Sequence, residues 1–249
     1  MTLRPGSGRI GRAFLALSLS WALLALGAPV QANADRPTVV ELFTSQGCNS
    51  CPPADALLGQ LAARDELIAL TFNVDYWDYL GWRDTLADAA NTQRQKDYAR
   101  RLGRRGVYTP QVVVGGHMDA VGSNLPAIEA AITQDRGRAD PALDVFFTTR
   151  DDMVLLQITG AAYADDATIW LVRFDERREI EIARGENAGR TLTYFNVVRD
   201  FKSLGLWRGH AMEIALSHDD LLRDGADGCV VIVQLKRNGR IVGAGKMAF

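Results

Sequence analysis

The chain has 249 residues, of which 47% are hydrophobic and 23% charged, with 28 Lys and Arg against 30 Asp and Glu. Such proportions fit one large or two small globular domains and exclude a mainly disordered chain, a disulfide-dense miniature and a polytopic membrane protein. A formal charge of −2 also lacks the basic excess of a nucleic-acid binder, so no nucleic-acid partner is expected.

In chain order, the first segment reads as an address. Arg4, Arg9 and Arg12 precede an apolar stretch from Ala13 to Gly27, and Pro29, Ala32, Asn33 and Ala34 follow. A basic start, a short apolar run and small residues at alternate positions make a secretory signal peptide, residues 1–34, with cleavage near Ala32 or Ala34. About 15 apolar residues fall short of the roughly 20 that span a bilayer. A periplasmic or secreted chain, with no stable membrane insertion after cleavage, is therefore expected. Processing removes three arginines and no acids and takes the charge from −2 to −5. All three cysteines then reside in an oxidising compartment.

Residues 35–136 alternate strand and helix signals. Thr38–Phe43 is a short strand and Pro53–Ala63 an amphipathic helix. Leu67–Val74 is a second strand, and Thr85–Leu102 a polar helix. Val112–Gly116 is a third strand, and Leu125–Gln134 a further helix. Apolar, non-alternating strands between helices indicate a largely buried sheet. From Arg136–Pro141 onward the chain turns to period two. Leu143–Thr149, Met153–Thr159, Thr168–Phe174, Glu179–Ala183, Thr191–Val198, Met212–Leu216, Val230–Leu235 and Arg240–Ala244 all read as strands. Asn238-Gly239 marks the last hairpin. The expected architecture is an α/β domain over 35–136 followed by a β-rich, sandwich-like region over 137–249.

Cys48-Asn49-Ser50-Cys51 follows the first strand and opens the first helix. Two cysteines three apart at a helix start can close a disulfide. The macrodipole there stabilises a thiolate, and such placement lowers a cysteine pKa from about 8.5 toward roughly 3.5–7.5. Cys48, expected to be the more exposed, is the candidate nucleophile and Cys51 its resolving partner. Pro52 and Pro53 place the helix start near Ser50 or Cys51, with Ser50 a candidate N-cap. A structural disulfide is the competing reading, but a loop this short removes little unfolded-state entropy.

About 60 residues on, Tyr108-Thr109-Pro110-Gln111-Val112 sets a proline just before a strand. Strand, CxxC, helix, strand, helix, Thr-Pro, strand, Gly-Gly and helix in this order resemble the thioredoxin fold over residues 36–136. That resemblance implies a cis Thr109–Pro110 bond, with Pro110 beside the cysteines and Tyr108 and Thr109 helping to bind an extended partner. It also implies a buried acid relaying a proton to the resolving cysteine. Glu41, seven residues before Cys48 where the usual spacing is six, reads either as this acid, with a loop one residue longer, or as a surface glutamate.

The longer strings Glu41–Cys48, Cys51–Asp55, Tyr108–Gln111, Arg184–Asn187 and Tyr194–Arg199 resemble a family of secreted bacterial proteins of unknown function, with a thioredoxin-like part and an added C-terminal part. Tyr76, Trp77, Tyr79 and Trp82 read either as a substrate-facing rim, with Trp77 its candidate binding residue, or as a plug beneath the next helix. Asp75 and Asp78 shape the mouth of the site or simply solvate a turn. Arg100, Arg101, Arg104 and Arg105 read as a solvated face, and Gly185-Glu186-Asn187 as a polar turn. Cys229, in an apolar strand, is a buried thiol or a third redox cysteine.

The expected activity is thiol–disulfide exchange with protein or small-molecule thiols and disulfides, without organic cofactor or metal. Two other readings stay open. One is a non-catalytic binding module with a copper(I) or zinc thiolate site drawing on Cys229, His117, His210 or His218. The other is a C-terminal half that docks on an envelope partner.

Overall fold

A computed structural model describes residues 1–3, 36–150 and 153–249. Apart from residues 1–3, the expected signal segment lies outside the described residues. Among these, no helix is long and apolar enough to cross a membrane.

The strands β1 (Thr38–Thr44) and β2 (Leu67–Asn73) are buried at every position and pair in parallel. Their Val-, Leu- and Phe-rich sequences suit a sheet covered on both faces. Between them, α1 (Pro52–Ala62) begins with two prolines, tolerated where the helix has no use for their missing N–H groups. Cys51, not Ser50, is the N-cap residue and makes no side-chain cap bond. α2 (Ala89–Arg101) starts four residues later than expected, because Asp88 caps it by accepting from the Ala90 N–H at 2.7 Å. β3 (Gln111–Val114) and β4 (Met118–Val121) form a hairpin whose second strand the sequence did not reveal, and α3 (Leu125–Arg136) follows.

The remaining strands are β5 (Val145–Arg150), β6 (Met153–Ile158), β7 (Ala167–Glu181), β8 (Thr191–Trp207), β9 (Met212–Ser217), β10 (Gly228–Leu235) and β11 (Ile241–Ala248), with a short helix, α4 (His218–Leu222), after β9. They do not stand apart from the first half. One mixed eight-stranded sheet runs in the order β11-β10-β7-β8-β2-β1-β3-β4, and β5-β6-β9 form a second, antiparallel sheet. Strands from both sides of the composition change at Arg136–Pro141 thus share one sheet.

Alternation along the strands decides which face each residue serves. Val40 and Leu42 of β1 pack with Leu57, Leu58 and Leu61 of α1 and with Ile128 and Ile132 of α3. Val39 and Phe43 face the other way, toward Tyr98 of α2, in a core that also holds Val172, Val230, Ile232 and Ile241. A third core joins Val154, Leu156 and Ile158 of the small sheet to Ile169, Leu171, Cys229, Val231 and Val233 of the large one. α2 therefore covers one face of the large sheet, and α1, α3 and the small sheet cover the other.

Two joints tie the halves of the chain together. At the first, β2 and β8 share a single register pair, Thr71 with Val197. Side chains reinforce it: the Thr71 hydroxyl donates to the Phe195 carbonyl at 2.7 Å, and the Asn196 amide to the Ala69 carbonyl at 2.8 Å. Asn196 has φ +46°, a conformation that asparagine tolerates better than most residues. The Phe195 ring lies against α1, so a Cβ at Gly59 would come within 2.5 Å of it. Gly59→Ala is expected to destabilise the protein by about 1–3 kcal/mol through overpacking, read as a lowered urea midpoint. An unchanged midpoint would show that the α1–β8 contact is loose.

At the second joint the sheet curls until its two ends meet. The Ile241 N–H, where β11 starts, donates to the Gly115 carbonyl of the β3–β4 turn at 2.9 Å. The Gly239 carbonyl sits where a Cβ on Gly116 would fall, 2.1 Å away.

Candidate functional site

The turn between β1 and α1 is built almost wholly from backbone bonds. Cys48 N–H donates to the Ser45 carbonyl at 3.1 Å and Cys51 N–H to the Cys48 carbonyl at 3.3 Å, while Ala54 and Asp55 N–H groups both reach the Cys51 carbonyl. This places Cys51 at the head of α1 and Cys48 one turn of chain before it. The two are disulfide-bonded, with Cα atoms 5.4 Å apart, inside the usual range for a bridge. Cys48 is only 3% exposed, so the expected contrast in exposure with the fully buried Cys51 is small. Asn49 and Ser50 are exposed. The Ser50 hydroxyl lies 3.4 Å from the Cys48 sulfur rather than capping the helix.

Pro110 is brought to the same place. It follows a cis peptide bond from Thr109, and its Cβ and that of Ala54 in α1 both crowd the point where Gly122 would carry a side chain, 2.9 and 3.0 Å away. Trp77 closes the other side. Its indole N–H donates to the Thr109 hydroxyl at 2.7 Å, and its Cβ would lie 3.1 Å from a Cβ on Gly47. Cys48, Cys51, Pro110, Thr109 and Trp77 therefore form one neighbourhood. Tyr108 borders it but is committed elsewhere, its hydroxyl donating to Asp119 at 3.0 Å and its carbonyl accepting from Gln95 at 2.7 Å.

Glu41 is not brought to the pair. It alternates with Val40 and Leu42, so it faces α2 rather than α1. There it is fully buried, its carboxylate accepting from Arg94 Nε at 2.6 Å and from the Tyr98 hydroxyl. Arg94 also lies among the rings of Phe72, Tyr98, Trp170 and Phe201. This ion pair belongs to the core beneath α2.

The acid on the cysteines' side of the sheet is Asp55. It stands four residues after Cys51, one helical turn along the same face. The Thr44 hydroxyl donates to its Oδ1 at 2.7 Å, whereas its Oδ2 is buried without a partner. Burial pushes its pKa up to about 8; the Thr44 bond opposes that shift and nearby Asp84 adds to it. A groove of about 390 Å³ between α1 and β8, lined by Pro52, Asp55, Ala56 and Phe195 among others, leads to this residue.

A second set of polar side chains holds the turn from behind. Gln46 is fully buried: its N–H donates to Asp84 at 2.8 Å, and its side-chain oxygen accepts from the Trp82 indole at 2.8 Å and from the Thr85 N–H at 3.2 Å. Asp84, raised in pKa mainly by burial, also accepts from Asn73. Asn187, on the loop between β7 and β8, completes the set. Its amide donates to the carbonyls of Gln46 at 2.9 Å and Cys48 at 3.0 Å.

A profile for a protein family of unknown function, DUF1223, matches residues 39–234, which include every residue named in this site. The chain belongs to the DUF1223 family. The X-ray crystal structure of an Agrobacterium tumefaciens protein is similar to it at 33% identity, covering 85% of this chain and 93% of that one with a TM-score of 0.75. HBP35 of Porphyromonas gingivalis shares the fold at 15% identity, covering 86% of this chain and 75% of that one with a TM-score of 0.57. No curated protein matches.

For this DUF1223 chain the other sequence candidates sort by position. Tyr79 is 78% exposed, Tyr76 and Trp77 pack on the α2-side core, and Trp82 packs on a small core with Leu192 and Tyr194. Asp75 accepts from Thr92 at 2.6 Å and Asp78 from the Asp84 N–H at 3.0 Å, so both are tied into the loop. Arg100 pairs with Asp97 at the surface, and the exposed Arg104 pairs with the largely covered Asp119. Cys229 is a free thiol buried against the small sheet, its pKa pushed up to about 12 by burial. Among the described residues no cluster of three or more His, Cys, Asp and Glu is placed to hold a metal.

Proposed function

We propose that the chain is an exported thiol–disulfide oxidoreductase whose residues 36–136 work as a thioredoxin-like unit. The reading rests on one observation above all: the Cys48–Cys51 disulfide sits at the head of α1, with Pro110 beside Ala54 of that helix and Trp77 beside Gly47 of the turn. The basic, apolar and small-residue order of the first 34 residues supports export.

Acting as reductant, the Cys48 thiolate attacks one sulfur of a partner disulfide. A mixed disulfide forms and one partner thiolate leaves. The Cys51 thiol then gives its proton to Asp55 in the fraction of molecules whose carboxylate is ionised, a fraction that grows toward pH 8, and attacks the Cys48 sulfur. The Cys48–Cys51 bond forms and the second partner thiolate departs. Run backwards, the same steps oxidise a partner dithiol. Asp55 suits the proton step because its pKa of about 8 lies close to that of a thiol. The open approach to Cys48 is over the exposed Asn49 and Ser50.

The test is a redox titration of residues 35–249 in mixtures of reduced and oxidised glutathione, read by alkylation and mass, together with insulin-disulfide reduction. A reversible two-thiol couple and catalysed reduction are expected. A bond that stays closed across the whole series, with no catalysis, would mark a structural staple and sink the proposal.

A further inference from the structure

The loop between β7 and β8 has no role in the thiol–disulfide exchange steps, yet it reaches the redox turn directly. It is closed by its own backbone bonds, Ile182 N–H to the Arg190 carbonyl at 2.9 Å and Gly189 N–H to the Ile182 carbonyl at 2.8 Å. From this frame Asn187 points inward and is completely buried, although Glu186 and Ala188 beside it are exposed. Both of its donors and its oxygen are engaged. One hydrogen goes to the Gln46 carbonyl, the other to the Cys48 carbonyl, and the side-chain oxygen accepts from Arg190 Nη1 at 3.1 Å. The same loop also backs the turn indirectly. A Cβ on Gly185 (φ +79°) would lie 3.2 Å from Cβ of Trp82, whose indole holds the Gln46 side chain.

We infer that Asn187, braced by Arg190, is a positioning residue of the redox couple: it pins the Cys48 turn so that the two thiols of the reduced protein stay at bonding distance. This rests on the redox reading of the pair. Without it, the reduced turn between Cys48 and Cys51 is closed by one 3.3 Å backbone bond and the 3.4 Å contact of the Ser50 hydroxyl with the Cys48 sulfur. A turn held by both hydrogens of one amide loses less freedom when the disulfide closes, so the effective concentration of one thiol at the other is higher. The C-terminal half thereby sets how strongly the N-terminal pair holds its oxidised state. The equilibrium is balanced: the dithiol and one oxidised glutathione give the disulfide and two reduced glutathiones.

Asn187→Ala and the surface variant Arg190→Ala are to be titrated beside the unmodified protein. The equilibrium constant for closing Cys48–Cys51 is expected to fall about tenfold in Asn187→Ala, equivalent to about 30 mV, and about threefold in Arg190→Ala. Melting of each oxidised and reduced form separates positioning from plain packing. Positioning narrows the gap between the two forms, whereas packing lowers both alike. An unmoved constant, or equal lowering of both forms, overturns the inference. Should Asn187→Ala fail to fold, Arg190→Ala decides by the same criterion. If the unmodified protein shows no reversible couple, the redox reading itself has failed, which is a different result.

Discussion

Cys48→Ser is expected to bring insulin-disulfide reduction down to the uncatalysed rate, whereas Cys51→Ser keeps the first half of the reaction and loses the second. The asymmetry follows from position. The Cys48 sulfur lies beside exposed Asn49 and Ser50, and Cys51 lies beneath it at the head of α1. A partner meets Cys48 first, and without Cys51 nothing inside the protein displaces the partner from it. Cys51→Ser should therefore accumulate mixed disulfides, recovered under non-reducing conditions and mapped to Cys48 by mass spectrometry. The bound species would identify the partners. Adducts on Cys51 in Cys48→Ser, with none on Cys48 in Cys51→Ser, would reverse the two roles.

The second large effect belongs to Asp55. Its folded-state pKa of about 8 stands far above the ordinary carboxylate value near 3.9, so the folded protein retains a proton that the unfolded chain has released. The sign follows from linkage: where the folded state binds more protons, stability falls as pH rises. The stability associated with a neutral Asp55 is complete below about pH 4. It declines by about 1.4 kcal/mol per pH unit and levels off above about pH 8, a total on the order of 5 kcal/mol. Asp55→Asn removes this slope. In its place it leaves an amide at a position where Oδ2 has no partner, at a pH-independent cost of about 1–3 kcal/mol. The variant should be the less stable protein at pH 4 and the more stable one at pH 8, measured by urea unfolding of the oxidised forms. Its resolving step should also slow and lose its rise near pH 8. Parallel stability curves for the two proteins would show that Asp55 is ionised in the fold.

The contrast between Asp55 and Glu41 shows where sequence reading reached its limit. The positions of β1, α1, β2, β3 and α3 are legible because apolar spacing and the paired prolines mark them. The strand period also puts Glu41 on the opposite face from Val40 and Leu42. What the period does not reveal is which face α1 will cover, and that decides which acid shares the cysteines' side of the sheet. Asp55 carried a local signal, the four-residue spacing from Cys51 within a helix. Asn187 carried none, because 139 residues separate it from Cys48 and only the fold joins them.

In the second half the strands were legible but their lengths were not. The charged run Asp175–Arg178 reads as a break, yet β7 continues through it, because its end pairs with β8, Glu176, Arg177 and Arg178 stay exposed, and the buried Asp175 is paired with Arg178 and Arg199. β8 likewise runs on to Trp207 past Gly205. These long strands carry the sheet from the cysteine half to the far hairpin and make the Asn187 loop a neighbour of the turn.

The meeting of the sheet's ends at Gly115 and Ile241 bears on the order of synthesis. The core beneath α2 begins at Val39 and is completed by Val230, Ile232 and Ile241, residues near the end of the chain. A nascent chain that has made Cys48 and Cys51 still lacks the hairpin that encloses this apolar face. Uncovered apolar surface and unpaired strand edges make such partial chains prone to aggregate. The strands of the α2-side core are therefore made early while the β10–β11 hairpin that completes it arrives last, as a clasp on the opposite face of the sheet from the cysteines.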